Sequence, residues 1–244
     1  MVSEGPVADG LLAERRNGVM GFVKKTLAGL GVLTAVTAGL SIVNILQAGS
    51  RSPDGRSMQE ILGKDPEEAT YDDIERLSRA DKMQLFYAAK SPAFGSIKGE
   101  YQGKLLSGGV LGGSTAYFTN HVFPTGTLTI KTKWDGKAFN PTEDNAGLGI
   151  NAFSGEDEEG EHEVFYTRKM RTYVGPTTIG KDGRDSFHLD YGAFNTDLVK
   201  TMHDEVRQVN ENLYICAGYM ATSGGPLNPG PFTLIGPPKE FPAA

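Results

Sequence analysis

Cysteine is nearly absent from this chain. Cys216 stands alone, which excludes an intramolecular disulfide and any cysteine-rich metal site. Basic clusters are missing as well. Lys and Arg number 24 against 30 Asp and Glu, for a net charge of −6, and an acidic chain without a basic patch is a poor match for nucleic acid. No Gly-x-Ser-x-Gly elbow, phosphate loop, Cys-x-x-Cys pair or dinucleotide fingerprint occurs. The Gly-x-Gly of Gly147-Leu-Gly149 lacks a following helix and reads as strand glycine. The expectation is a protein that is not an enzyme, with no metal and no cofactor of its own beyond pigment or lipid contacts.

Long apolar runs are scarce too, with one exception. Leu27 to Leu46 reads LAGLGVLTAVTAGLSIVNIL, twenty residues without a charge, ten of them Leu, Ile or Val. Twenty helical residues span about 30 Å, the hydrocarbon thickness of a bilayer. The ten aliphatics contribute about −3 to −6 kcal/mol on the insertion scale, opposed by Thr34, Thr37, Ser41, Asn44 and three glycines. The run is too long for a signal-peptide core of about 7–15 residues, and soluble helices of this length carry a charged face. Arg15 and Arg16 form a twin-arginine pair ahead of it, which keeps an uncleaved targeting anchor open.

The polar residues of this predicted span are ordered. Thr34, Thr37, Ser41 and Asn44 fall within one sector of roughly 80°, flanked by Gly31 and Ala38. Small residues let helices approach in lipid, and hydroxyls and amides bond across the interface. The stripe Gly31, Thr34, Thr37, Ala38, Ser41 and Asn44 is therefore the expected helix-packing interface, toward transmembrane subunits of a larger membrane complex. Arg15, Arg16, Lys24 and Lys25 precede the span closely, whereas Arg51 and Arg56 follow it. The positive-inside rule keeps the N-terminal arm on the cis side and sends the large domain across.

The remaining chain is long enough for one domain with a sizeable core. Four segments are expected: a polar arm over 1–17, the span over 18–48, a linker with short helices over 49–96, and a β domain over 97–244. Capping patterns at Ser57…Glu60 with Gly63 beyond, at Thr70…Asp73 and at Ser78…Asp81 mark the short helices. From Ile97 the period changes to two. Strands are read near Tyr101–Leu105, Ser114–Phe123, Thr127–Trp134, Gly147–Phe153, Val164–Val174, Ser186–Phe194, Val199–Val209, Leu213–Ala221 and Phe232–Ile235. Asp135-Gly136 reads as a hairpin turn, and the acidic residues of Glu156–Glu163 as a solvated loop tip. Eight to nine strands joined by hairpins make an antiparallel barrel or a strongly curved sheet, with helices at its N-terminal edge. Overall the fold class is mainly β, preceded by a single transmembrane helix.

Few residues suggest chemistry. His188 and Asp190 share a strand face, expected to be the outer one because Phe187, Leu189 and Tyr191 take the inner side; a surface pair is the expected reading. His203 and Glu205 share a face without Asp204, a poor metal set unless ligands arrive from elsewhere. Cys216 sits among apolar neighbours that leave a thiol inert. A barrel of about eight strands either packs its interior or encloses one apolar ligand; a packed core is expected.

Two resemblances follow from particular residues. Trp134-Asp-Gly136 with Phe139 resembles part of the Trp-x-Gly core of small lipocalin-like barrel proteins, although Thr132 stands where that pattern has its first Gly. Met83-Gln-Leu-Phe-Tyr-Ala-Ala89, Lys98-Gly-Glu-Tyr101, Tyr173-Val-Gly175, Asp185-Ser-Phe-His188 and Asp204-Glu-Val-Arg207 through Pro231-Phe-Thr-Leu-Ile-Gly236 are similar to uncharacterised plastid proteins of algae with complex plastids, over about residues 70–238. That resemblance implies a thylakoid location, with the arm stromal and the large domain lumenal, and association with a photosystem or antenna complex. The leading expectation is a non-catalytic single-span accessory subunit of an organellar membrane complex that stabilises or bridges its partners. The rivals are an anchored lipocalin-like binder of a pigment, lipid or quinone, and an enzyme on such a molecule using His188 and Asp190.

Overall fold

The structure, a computed structural model, describes residues 39–49, 51–107, 109–125, 132–156 and 161–242. The chain divides into two units, Met1–Ile42 and Val43–Ala244. Of the first, residues 39–42 are described and are helical. The second begins with helical residues 43–47, α1. The predicted span therefore lies mostly outside the described residues, and among the described residues no helix is long and apolar enough to cross a membrane.

The alternating pattern becomes a closed barrel. Strands β1 (Gly99–Leu105), β2 (Thr132–Glu143), β3 (Ala146–Glu156), β4 (His162–Pro176), β5 (Asp185–Asp190), β6 (Met202–Asn210), β7 (Leu213–Met220) and β8 (Gly230–Lys239) follow one another round the wall. Every neighbouring pair is antiparallel, and β8 returns to β1 with Leu105 opposite Phe232. Closure leaves no unpaired edge, so the open curved sheet is set aside. Side chains alternate across the wall. The inward set includes Trp134, Phe139, Phe153, Met170, Phe187, Leu189, Val206, Tyr214, Cys216, Phe232 and Leu234, all buried.

Short helices form where the capping patterns place them. In α2 (Met58–Leu62) the Ser57 side chain and Glu60 exchange bonds, and Gly63 closes the helix at φ 71°. Asp73 accepts from the Thr70 amide at the start of α3 (Tyr71–Glu75), and Ser78 accepts from the Asp81 amide at the start of α4 (Arg79–Ala88). These helices cover the outer face of β6 and β7, where Met83, Leu85 and Phe86 meet Val209, Leu213 and Ile215 in a second core. Arg207 is buried beneath α4. Its guanidinium donates to Asp182, to the carbonyls of Phe86 and Tyr87, and to Ser186, and lies 4.7 Å from the Phe86 ring centre.

Several expectations change. Ser114–Phe123 is not a strand; Gly112–His121 is a helix, α5. A closed barrel has no edge for a ninth strand, so the segment satisfies its backbone groups internally. Its partners Phe118 and Phe123 join the barrel core. Asp135-Gly136 is not a hairpin turn. It lies inside β2 as an irregularity between Trp134–Phe153 and Gly136–Ala152. Gly136, at φ 150°, passes so close to β1 that a Cβ would collide with the Tyr101 carbonyl oxygen; a Cβ on Gly103 would likewise meet the Trp134 ring. The β2–β3 turn is instead Asp144-Asn145, with Asn145 at φ 56°. Val199–Thr201 belongs to a short 3-10 turn ahead of β6, and β5 ends at Asp190 rather than Phe194. Residues 127–131 of the expected third strand and 157–160 of the acidic loop lie outside the described residues.

Asp182 gives this layer a pH signature. Burial pushes its carboxyl up, but bonds from the Arg207 side chain and the Arg184 amide outweigh that and hold it below 3.8. A depressed folded value means the stabilisation is present above 3.8 and is lost as pH falls through the folded value. Asp182→Asn should cost about 3–5 kcal/mol at neutral pH by leaving Arg207 buried and unpaired, and should flatten acid unfolding below pH 4. Urea titrations at several pH values would show this, and an unchanged midpoint would refute the role given to Asp182.

Candidate functional site

Two clusters of polar side chains stand out, one inside the barrel and one on its wall. The inner one is keyed by Lys137. The irregularity at Asp135 puts Trp134, Lys137 and Phe139 all on the inner face, so an ammonium enters an aromatic core. Its Nζ lies 3.1 Å from Asp204 Oδ2 and donates to Asn151 Oδ1 at 2.7 Å and to the Tyr191 hydroxyl at 2.5 Å. Tyr191 donates in turn to Asp204 at 3.1 Å. Asn151 accepts from Trp134 Nε1 at 3.1 Å and donates to the Arg168 carbonyl at 3.1 Å. That carbonyl is aimed inward by a kink at Arg168, φ 58°, a conformation that costs about 1–3 kcal/mol for a non-glycine residue. Trp134, Tyr191 and Phe232 present their rings to Lys137 at 5.2–5.3 Å.

Each member is buried and partnered, as a sealed ion pair requires. Burial pushes the Lys137 ammonium down from its ordinary value, with Asp204 pulling it back. Burial and then the Asp204 charge push the Tyr191 phenol well up. Cys216 is fully buried, and its thiol is also pushed up by burial first, a poor nucleophile.

The second cluster forms on the outer face. Across β5 and β6, His188 stands opposite Glu205 and Asp190 opposite His203. His188 Nδ1 meets His203 Nε2 at 2.8 Å, and Glu205 Oε1 lies 3.9 Å from the same nitrogen. His188 Nε2 contacts the Gly175 carbonyl at 3.0 Å. A carbonyl only accepts, so Nε2 carries a proton, and in the neutral tautomer Nδ1 is then the lone-pair atom. Tyr173 stacks on the His188 ring at 4.7 Å. The segment after β4 folds over Glu205. Its carboxylate accepts from the Thr177 hydroxyl, from the hydroxyl and amide of Thr178, and from the Ile179 amide. Burial pushes Glu205 up, but these bonds prevail and its value is lowered. Burial, then the neighbouring His188, lower His203.

His188 is thus 1% exposed rather than a surface residue. Residues 177–179 cover the face that alternation assigns to solvent. Asp190 is not its partner: it bonds Arg171 and the Gly192 amide. The third side chain that joins His203 and Glu205 is His188, from β5. Only the strand register makes that visible.

Of the expected helix-packing residues, Gly31, Thr34, Thr37 and Ala38 lie outside the described residues, and Ser41 belongs to the first unit. Asn44 is buried by its own chain. Its Nδ2 donates to Asn228 Oδ1 at 2.6 Å, its Oδ1 accepts from the Leu111 amide at 3.3 Å, and its carbonyl accepts from Arg79 Nε at 3.2 Å. Gln47 accepts from the Val110 amide at 3.0 Å. Farther along, Arg51 donates to the carbonyls of Thr178 and Ile179.

No protein-family model and no curated protein matches the chain. Among solved structures, a crystal structure of a protein from Thermomonospora curvata is similar at 15% identity and a TM-score of 0.40, covering 65% of this chain and 86% of that one.

The inner cluster makes a direct prediction. Tyr191→Phe removes the hydroxyl that Lys137, Asn151 and Asp204 share. It should cost about 1–3 kcal/mol in urea unfolding; a change within error would show that the hydroxyl does not hold the network.

Proposed function

We propose that the chain is a non-catalytic accessory subunit of an organellar membrane complex, held by one span over Leu27–Leu46 and presenting a packed barrel to its partners. The observation that carries this reading is how α1 joins the barrel. Asn44, Gln47 and Ala48 face the fold, and Arg79 donates to a carbonyl of the helix's last turn while its Nη2 reaches the Pro229 carbonyl at 2.6 Å. A cation there also favours the negative end of the helix dipole. Val43 and Leu46 are turned out, Leu46 at 73% exposure, and Val110 and Leu227 are exposed as well. Residues 43–48 are thus fixed to the barrel by side chains while apolar residues face outward, which suits a contact with partner subunits at this face.

The packed interior supports the accessory reading over the carrier. Trp134, Phe139, Phe153, Phe187 and Phe232 fill the space that a pigment, lipid or quinone would take, and Lys137 with Asp204 occupies its middle. The resemblance over residues 70–238 adds the setting: a thylakoid membrane, with photosystem or antenna subunits as partners.

The test is native electrophoresis of membranes solubilised in mild detergent. The wild-type chain should migrate with a large assembly. Gly31→Leu combined with Ala38→Leu should still resist carbonate extraction yet migrate alone. A wild-type chain that runs by itself would refute the subunit reading.

A further inference from the structure

We propose that His188, His203 and Glu205 form a binding site for a borderline divalent transition-metal ion of the zinc class. One ligand atom from each lies within 4.8 Å of the other two, on two adjacent strands of a closed, rigid wall. Two imidazoles and a carboxylate are the donor set that such ions take, leaving a fourth position for water or a substrate atom.

The surroundings are arranged as outer partners of a metal centre. His188 donates its Nε2 proton to the Gly175 carbonyl, which leaves Nδ1 as the metal-facing atom, and Tyr173 stacked on the ring fixes its plane. Glu205 is oriented by Thr177 on Oε2 and by Thr178 and Ile179 on Oε1, the oxygen nearer His188; an ion bound at Oε1 displaces the Thr178 hydroxyl, which keeps its contact with the Tyr219 hydroxyl. His203 stacks with Tyr219 at 5.5 Å, and the Tyr219 hydroxyl contacts Thr178 at 3.0 Å. Only His203 of the three is partly exposed, so its side of the cluster is the approach from solvent.

Tetrahedral zinc with bonds of about 2.0–2.1 Å sets its ligand atoms roughly 3.3 Å apart. The two ring nitrogens here, at 2.8 Å, are closer than that, and the Glu205–His188 separation of 3.9 Å is wider. Shifts of about half an ångström reconcile both. In the metal-free pair, the His203 Nε2 proton is donated to His188 Nδ1. The ion takes the place of that proton, which moves to His203 Nδ1 through solvent; no bond to carbon changes and no electron is transferred. The site is distinct from the Lys137 network, which lies on the inner side of the wall, and it does not depend on the accessory-subunit reading.

Equilibrium dialysis of the untagged chain against zinc, with metal measured by atomic emission, tests the site. The wild type should retain one zinc per chain in the presence of millimolar magnesium. His203→Ala, a change at a partly exposed position, should weaken binding at least tenfold while leaving the circular dichroism spectrum unchanged. His162→Ala, at an exposed histidine on β4, should bind as the wild type does. Cobalt should give an intense visible band in the wild type and lose it in His203→Ala. Folded wild type that retains no zinc, or His203→Ala that binds as tightly as wild type, would overturn the proposal. An equal loss in His162→Ala would overturn it as well.

Discussion

A lysine and an aspartate sealed inside a closed sheet set the terms for the rest of this molecule. Neither charge has water to fall back on, so each needs partners placed by the fold itself. Lys137 reaches the interior because β2 carries an irregularity at Asp135 and because Gly136 and Gly103 let β1 and β2 approach. Asp204 is delivered from the opposite side of the wall by β6, Tyr191 by the turn after β5, and Asn151 by β3. Four separate segments must be in register before the pair is satisfied. A one-residue slip would move the charges to the other face, so the pair favours one register over its neighbours.

The outer face shows the same economy with different residues. Arg207 and Glu205 alternate with Asp204 on β6, and each is buried by an element laid over the barrel. Arg207 is covered by α4 and paired with Asp182. Glu205 is covered by residues 177–179. Consecutive positions of one strand thus organise the interior, the covering segment 177–179 beside the histidine pair, and the helical layer. The docked α1 completes the arrangement through Asn44 and Arg79.

Much of this was legible in residue patterns, and the exceptions share a cause. Period-two alternation located all eight of the wall's strands at least in part, and the Ser57, Thr70 and Ser78 caps located the helices, because both signals act over a few residues. The Ser114–Phe123 segment misled because β-branched and aromatic residues favour a strand only where an edge exists to accept one, and closure removes the edge. Asp135-Gly136 has turn chemistry but serves a close approach between β1 and β2. The clusters depend on register. Lys137 shares a face with Phe139, and Asp204 with Val206, a charge on an apolar face that does signal a buried pair. Nothing local tells that the two meet, or that Glu205 will face His188.

The central claim is that the barrel interior is a packed core keyed by an ion pair, and a double-mutant cycle addresses it most directly. Lys137→Met and Asp204→Leu should each cost about 3–5 kcal/mol by stranding a buried charge, whereas the double variant should recover most of that loss. A coupling energy above about 1 kcal/mol would support the account. Single losses that are small and simply additive would contradict it, because the two charges would then not depend on each other inside the barrel.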